Sequence, residues 1–415
     1  PIVLALVGDS TITSPFSITN NSFLVLYLYY ITSYPCNKQE GAVSIYTLCY
    51  NITVNKKNVK IAVVTGPTGG HFFPGLALAE ELRDKENSEI SFFVPGRSYI
   101  IKWLEQKGFY YKVIPEVKIA IKKPLSFFKL IYLVFRSCIT LLSGQFDIVV
   151  ITGSYTTLPF LLASFFCNKK SFVHEQNFIP GKITRLSCFI ADRIGLSFPS
   201  NSIFRKKKSV ITGFPVPVDF KKRYEKKEIL SQFNFSEENK TVLVLGGSQG
   251  AAFLNHLIIE NMGYLSKKNL QFIHLAGKEK ERLVGEYKRY GIKAQVFDFY
   301  FDMAKIYSIT DIVVCRAGAG TLAEICEWKV PAIVIPYPYA GGHQRYNALY
   351  LARQGGCNML DQNTNCIKLF PVIFEKTLKE SDMIKKRLEK ISIVDKEGNN
   401  IRVIMELLKN GRQYT

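Results

Sequence analysis

Long apolar runs are missing from this 415-residue chain. The longest uninterrupted one, Phe23 to Ile31, has nine residues, well short of the ~18–20 that a membrane-spanning helix requires. Histidine is scarce too: the five in the chain are isolated and offer no zinc spacing. The nine cysteines contain no Cys-x-x-Cys pair. An odd number scattered through apolar stretches reads as reduced core thiols, which argues against a disulfide scaffold or structural zinc. Acidic residues are in deficit, 34 against 54 basic, leaving a net charge of +20. A charge of that size draws a chain toward lipid headgroups, nucleic acid or phosphorylated substrates.

What is present is an ordinary globular composition, 47% apolar and 21% charged, with length for about two domains at ~100–200 residues each. Residues 1–58 stand apart. Their only charges are Asp9, Lys38, Glu40, Lys56 and Lys57, and no basic segment precedes the apolar stretch, so a signal peptide fits badly. The weak periodicity predicts a poorly ordered extension of unknown role, or upstream read-through.

From Val59 onward short β-branched runs alternate with longer helical stretches. Strands are predicted at 60–66, 90–96, 147–153, 171–176 and 209–215; the cycle restarts at 241–248, 270–277, 294–300, 311–318 and 331–338. Near-continuous apolar strands that run into glycine and then helix imply parallel sheets covered on both faces. The expected fold is α/β: two Rossmann-like parallel-sheet domains, 59–217 and 218–395, facing a central cleft. The tail 396–415 is predicted helical and able to pack on either half. Ligands of open parallel sheets bind beyond the carboxyl ends of the strands.

Three glycine-rich turns fall at such strand ends. In the first, residues 60–82, Gly66, Gly69 and Gly70 permit close backbone approach ahead of a helix expected near Pro74. The second strand ends Pro95-Gly96-Arg97, without the acidic residue a dinucleotide needs. His71 directly follows the glycines and is either a general base or a polar helix-start residue on solvent. The second turn sets Gly246, Gly247 and Gly250 around Ser248 and Gln249, a composition suited to a diphosphate but lacking the P-loop Lys-Ser/Thr. In the third, Gly318 and Gly320 precede a helix expected near Thr321. Glu324 there either accepts hydrogen bonds from a ribose diol or forms a capping box with Thr321. His343, Gln344 and Asn347, after Gly341-Gly342, suit sugar hydroxyls or a plain surface-helix start.

These blocks carry a resemblance. GPTGGHFFPGLALA (66–79), HEQNFIPGKITRL (174–186), GGSQGAAFLN (246–255), CRAGAGTLAEI (315–325) and HQRYNA (343–348) resemble, in order and spacing, the bacterial undecaprenyl-diphospho-muramoylpentapeptide N-acetylglucosaminyltransferases, glycosyltransferase family 28 enzymes of GT-B fold that form lipid II. The resemblance implies UDP-N-acetylglucosamine in the carboxy-terminal half and lipid I in the amino-terminal half. It implies His71 as catalytic base and donor contacts at Thr68, Gly69, Gly70, Asn177, Ser248, Gln249, Tyr300, Thr321, Glu324 and Gln344. Acceptor contacts would fall on Tyr155, His174 and Asn177, and sugar contacts on Gln344 and Asn347. Three departures stand out: Pro217 replaces the family's arginine, Gly153-Ser154-Tyr155 replaces Gly-Gly-Tyr, and Phe299-Tyr300-Phe301 replaces a more acidic stretch. The extension 1–58 has no counterpart.

The implied reaction is a single inverting displacement in which an imidazole takes the C4 hydroxyl's proton, worth ~10²–10⁴-fold. No Asp-x-Asp occurs, so neither a metal nor a cofactor is expected. Residues 118–142 carry Lys118, Lys122, Lys123, Lys129 and Arg136 among apolar residues without an acid, as a basic amphipathic helix on an anionic membrane would; a second basic cluster is Arg205 to Lys208. The alternative is a buried helix with a solvated basic edge. The expected location is peripheral, on the cytoplasmic face of the cell membrane, with other cell-wall synthesis proteins as possible partners and no nucleic acid. Rival readings are a diacylglycerol sugar transferase, a sugar-nucleotide epimerase of the same fold, and a non-enzymatic binder of anionic polymers.

Overall fold

Two parallel sheets organise the chain, seen here in a computed structural model that describes residues 58–116, 124–199, 208–246, 251–391 and 393–411. The first contains β1 (Lys60–Val64), β2 (Glu89–Pro95), β3 (Tyr110–Ile114), β4 (Ile148–Ile151), β5 (Lys170–Glu175), β6 (Arg193–Leu196) and β7 (Ser209–Ile211), in spatial order β3-β2-β1-β4-β5-β6-β7. The second contains β8 (Lys240–Leu245), β9 (Leu270–Leu275), β10 (Lys293–Phe297), β11 (Ile312–Cys315), β12 (Ala332–Val334) and β13 (Asn358–Met359), in order β10-β9-β8-β11-β12-β13. Every pairing is parallel; Val63, for example, faces Phe92 on one side and Val150 on the other. Ile61, Val63, Val242 and Val244 are fully buried, as helices on both faces of a parallel sheet require.

Strand order reverses between β1 and β4, and again between β8 and β11. Each reversal opens a crevice at the strands' carboxyl ends; the glycine-rich turns after β1 and β11 lie there, as does Gly246 after β8. The two halves of the expected architecture are thus present.

The chain passes between the halves twice, and the crossings are bonded together. Phe214 N–H donates to the Ile393 carbonyl at 2.6 Å, and Asp395 N–H donates to the Phe214 carbonyl at 2.9 Å. Asp395 then accepts the N–H groups of Asn399 and Asn400 at 2.8 and 2.9 Å, starting the last helix, Asn399–Gly411. That helix returns to the amino-terminal half, packing on β5, β6 and the helix Gly69–Glu86, which resolves the choice the sequence left open.

Two helix starts differ from expectation. The helix after β1 begins at Gly69 and the helix after β11 at Ala319, so Pro74 and Thr321 are interior positions. Pro74 is the sixth residue of its helix and, lacking an N–H, leaves the Gly70 carbonyl without its i+4 donor.

Candidate active site

A cleft of about 720 Å³ lies between the carboxyl ends of the two sheets. Thr68, Gly69, Gly70, His71 and Asn177 line it from the amino-terminal half; Tyr300, Thr321, Glu324 and Gln344 line it from the other. Most of the residues singled out in the sequence therefore meet in one place. Ser248 and Gln249 lie outside the described residues.

His71 occupies the first turn of its helix, where the N–H groups of Gly69 and Gly70 have no intrahelical partner. Its Nδ1 lies 2.7 Å from the Thr152 carbonyl and 3.3 Å from Gln176 Oε1. Both neighbours only accept, so Nδ1 carries the proton and Nε2 keeps its lone pair. Thr152 Oγ1 also donates to the His71 carbonyl at 2.7 Å, tying the helix start to the end of β4. His71 is half-buried, on the cleft wall.

His174 does not join the cleft. It is wholly buried at the end of β5, with Nε2 3.1 Å from the Gly213 carbonyl. Burial pushes its imidazole down to about 4, with the Gly213 bond opposing weakly. The expectation of an acceptor contact fails on geometry: both ring nitrogens already have protein partners. Tyr155 stands in a short turn after β4, 38% exposed, and does not form part of the cleft wall.

Asn347 is also fully buried and committed. Its Nδ2 donates to Asn177 Oδ1 at 3.1 Å and to the Ala317 carbonyl at 3.2 Å, while its Oδ1 accepts Phe178 N–H at 2.8 Å. A direct sugar contact through Asn347 is accordingly excluded in this arrangement; the residue joins the halves instead. His343 reinforces the seam through Nδ1 to the Ile179 carbonyl at 3.2 Å, and Tyr350 packs between Phe178 and Phe198. Buried Glu175 shapes the loop from the amino-terminal side, accepting Asn177 N–H and Gly181 N–H at 2.9 Å each.

Gln344 uses its oxygen to hold Ala317 N–H at 3.1 Å and Tyr337 N–H at 3.0 Å. Among the described residues its amide nitrogen has no partner, and the residue lines the cleft. Gly341 and Gly342, with φ of 75° and 70°, allow the reversal that starts the helix His343–Arg353 so close to the wall.

Glu324 is not a capping residue. Gly318 is the N-cap of Ala319–Trp328, and Glu324, in the second turn, accepts the Tyr307 hydroxyl at 2.8 Å through Oε2. Desolvation raises its carboxyl to about 7, opposed in part by that bond. Among the described residues Oε1 has no partner, and Glu324 lines the cleft. Sequence reading overlooked Trp103, which meets Phe301 across the halves with centroids 5.6 Å apart. It also overlooked Gln176 and Thr152, although Gln176 sits inside a quoted block. Pro217 lines the cleft where the resemblance places an arginine.

The helix Pro124–Ser143 lies outside the cleft. Leu133, Ser137 and Leu141 are buried, and the helix packs on Leu158–Phe166. The opposite stripe, Phe128, Ile131, Phe135, Ile139 and Leu142, is at least half exposed, with Lys129 and Arg136 also exposed. The helix is thus buried on one face and exposed on the other. Lys118, Lys122, Lys123 and Arg205 to Lys207 lie outside the described residues; Lys208 donates to the Ala191 carbonyl. Among the described residues, no helix is long and apolar enough to cross a membrane. Cys138 and Cys167 are partly buried, and Cys188, Cys315, Cys326, Cys357 and Cys366 are buried, in keeping with core positions.

Residues 61–196 match the glycosyltransferase family 28 N-terminal domain and residues 241–399 the glycosyltransferase family 28 C-terminal domain. The chain is 34% identical over 326 residues to a UDP-N-acetylglucosamine–N-acetylmuramyl-(pentapeptide) pyrophosphoryl-undecaprenol N-acetylglucosamine transferase of Thermodesulfovibrio yellowstonii, covering 74% of this chain and 87% of that protein. A Protochlamydia amoebophila protein of the same name is 33% identical, with 69% and 78% covered. Among solved structures, Acinetobacter baumannii MurG superposes with a TM-score of 0.65 at 23% identity, over 85% of this chain and 99% of that one. A Neisseria meningitidis UDP-GlcNAc 2-epimerase bound to UDP-GlcNAc gives 0.62 at 13% identity, over 85% and 100%. Those two likenesses speak to fold.

Proposed function

This chain belongs to glycosyltransferase family 28, and on that footing we propose that it transfers N-acetylglucosamine from UDP-N-acetylglucosamine to the C4 hydroxyl of the muramoyl sugar of lipid I, forming lipid II for peptidoglycan. The observation that carries the reading is the pairing of a His71 imidazole free at Nε2 with a Glu324 carboxylate and a Gln344 amide across one cleft.

In the reaction, Nε2 of His71 takes the proton of the acceptor hydroxyl as its oxygen attacks the anomeric carbon. The electron pair of the breaking bond leaves on the UDP diphosphate on the opposite face. One displacement inverts the centre and gives a β-linkage. The Nδ1–H of the resulting imidazolium is held by two oxygens, and transfer to such a base is worth ~10²–10⁴-fold. On the donor side, Glu324 Oε1 accepts from the ribose hydroxyls and the Gln344 amide donates to the sugar. The N–H groups at the helix start Gly69–Gly70 face developing negative charge.

The exposed apolar stripe of Pro124–Ser143, with Lys129 and Arg136, would rest on the anionic cytoplasmic leaflet, bringing the cleft to its lipid-linked acceptor. Transfer of labelled sugar from UDP-N-acetylglucosamine to a lipid I analogue tests the reading. His71→Ala is expected to keep UDP binding within a few fold and to lower turnover by ~10² or more. Absence of transfer to lipid I by the folded wild-type protein would overturn it.

A further inference from the structure

The hydrogen bonds around His71 extend one residue deeper than the base itself. Gln176, buried at the end of β5, donates through Nε2 to the His174 carbonyl at 2.8 Å and approaches His174 Nδ1 at 3.3 Å. A carbonyl can only accept, so the NH₂ end of this amide must face His174, and the oxygen must face His71. His174 is itself fixed: with Nε2–H donated to the Gly213 carbonyl, its Nδ1 is the lone-pair nitrogen that can receive Gln176. The Gly213 carbonyl also accepts Asn400 Nδ2 at 3.1 Å, one residue before the paired crossings at Phe214.

We propose that His174 and Gln176 are positioning residues for His71: His174 dictates which way the Gln176 amide faces, and Gln176 Oε1, beside the Thr152 carbonyl, holds the His71 proton on Nδ1 so that Nε2 is the base. Thr152 makes the shorter bond, at 2.7 Å against 3.3 Å. Gln176 adds a second acceptor, which closes the alternative in which His71 turns its ring over. It also supplies a neutral oxygen where a carboxylate would favour the imidazolium before substrate arrives. The proton balance is simple. Nε2 gains the acceptor's proton, Nδ1–H stays in place, and the positive charge faces two oxygen dipoles.

The proposal rests on His71 being the base, and its test separates the two ideas. The other titratable groups on the cleft wall are Asp298, Tyr300, Glu324, Tyr337, Tyr339 and His343; among the described residues, Nδ1 is bonded instead to Thr152 and Gln176, neither of which titrates. In the whole chain labelled with ¹⁵N-histidine, the His71 ring shifts should report a proton on Nδ1. A proton on Nε2 in the wild-type protein would overturn the proposal without any variant. Gln176→Leu should lower kcat by about tenfold, less than the ~10²–10⁴-fold of the base itself because Thr152 still holds Nδ1, with KM for the UDP-sugar nearly unchanged. Gln176→Glu should move the acid limb of the kcat profile upward by about one unit or more, the effect of an opposite charge beside an imidazole. An unmoved limb in a folded Gln176→Glu protein, or equal losses in kcat/KM and thermal stability for Gln176→Leu without a change in kcat, would reduce the pair to packing. If His71→Ala keeps full turnover while the Nδ1–H signal is as described, the base assignment fails and the hydrogen-bond assignment survives.

Discussion

Asn347 of the carboxy-terminal half and Asn177 of the amino-terminal half are joined side chain to side chain, Nδ2 to Oδ1 at 3.1 Å, in a pocket from which Asn347 sees no solvent. The bond makes Asn347 a clasp between the two halves, alongside His343 and Tyr350 in the same seam. Because the Phe178 N–H enters the same amide, the loop 174–181 and the helix His343–Arg353 are held in one register.

Asn347→Ala should therefore destabilise the protein by at least about 2 kcal/mol, since it strands the Phe178 N–H and the Ala317 carbonyl, each costing roughly 1–3 kcal/mol when buried and unpaired. Asn347→Asp should do no better. It keeps the acceptor for Phe178 but turns a donor into an acceptor against Asn177 Oδ1 and the Ala317 carbonyl. Urea unfolding would check both. Wild-type midpoints in both variants would mean that the amide is not holding the seam.

Ser154 adopts φ 79° and ψ 147°, a region favourable almost solely to glycine, at a cost of about 1–3 kcal/mol. The weak compensation is its hydroxyl, which accepts Thr156 N–H at 3.4 Å. Ser154→Gly should stabilise the chain by about 1 kcal/mol after the ~0.5–1 kcal/mol entropic penalty of glycine, with turnover retained. A lower unfolding midpoint would show that the serine's Cβ, packed against Gly66, outweighs the strain.

Glu324 gives a pH dependence whose sign is fixed by burial. Its carboxyl is raised to about 7 from an ordinary value near 4.5, so the folded state binds the proton more tightly than the unfolded one. Stability is unaffected below pH 4.5 and falls as pH rises to about 7, by about 3 kcal/mol at most. Glu324→Gln keeps the Tyr307 bond and removes this cost. The variant should match wild type at pH 4.5 and exceed it at pH 8, while binding UDP more weakly there. Wild-type UDP affinity should rise through pH 7, because the ribose diol needs an ionised acceptor. Calorimetry showing flat affinity from pH 5.5 to 8 would remove Glu324 from the ribose.

How far the sequence carried the reading follows from what each residue's neighbours decide. The long central strands were legible because burial on both faces forces unbroken apolar runs. β3 was not, since its exposed edge alternates Tyr110, Tyr111 and Lys112. Nor was β6, whose Gly195 is demanded by tertiary contact: a Cβ there would come within 2.7 Å of Phe172 Cζ and Thr212 Oγ1. In the site, motif composition placed His71, Glu324 and Gln344 on one cleft. It could not tell that Asn347 and His174 had spent their hydrogen bonds on the protein. Thr321-x-x-Glu324 has capping-box spacing, yet the N-cap is Gly318, three residues earlier. Partner choice across 170 residues of chain, as between Asn177 and Asn347, leaves no local trace.

The exposed stripe of Pro124–Ser143 leads to the last prediction, on membrane attachment. Phe127, Phe128 and Phe135 are 62%, 66% and 63% exposed, and positions 128, 131, 135, 139 and 142 fall on one helical face. Phe165, Phe166 and Phe189, on neighbouring helices, are exposed as well. Inserting a phenylalanine into lipid is worth roughly 1.5–3 kcal/mol, and each nearby cation adds about 1 kcal/mol against an anionic surface. Phe128→Ser with Phe135→Ser should therefore release the protein from phosphatidylglycerol vesicles at every salt concentration. Lys129→Glu should weaken binding chiefly at low salt, because exposed charges are screened beyond ~8–10 Å at physiological ionic strength. Neither change touches the cleft wall, so transfer to a water-soluble acceptor analogue should persist while transfer to vesicle-bound acceptor falls. Flotation unchanged by the double phenylalanine variant would move the membrane face elsewhere on the chain. Loss of the soluble activity as well would mean that the helix holds the amino-terminal sheet together through this stripe, against its exposure.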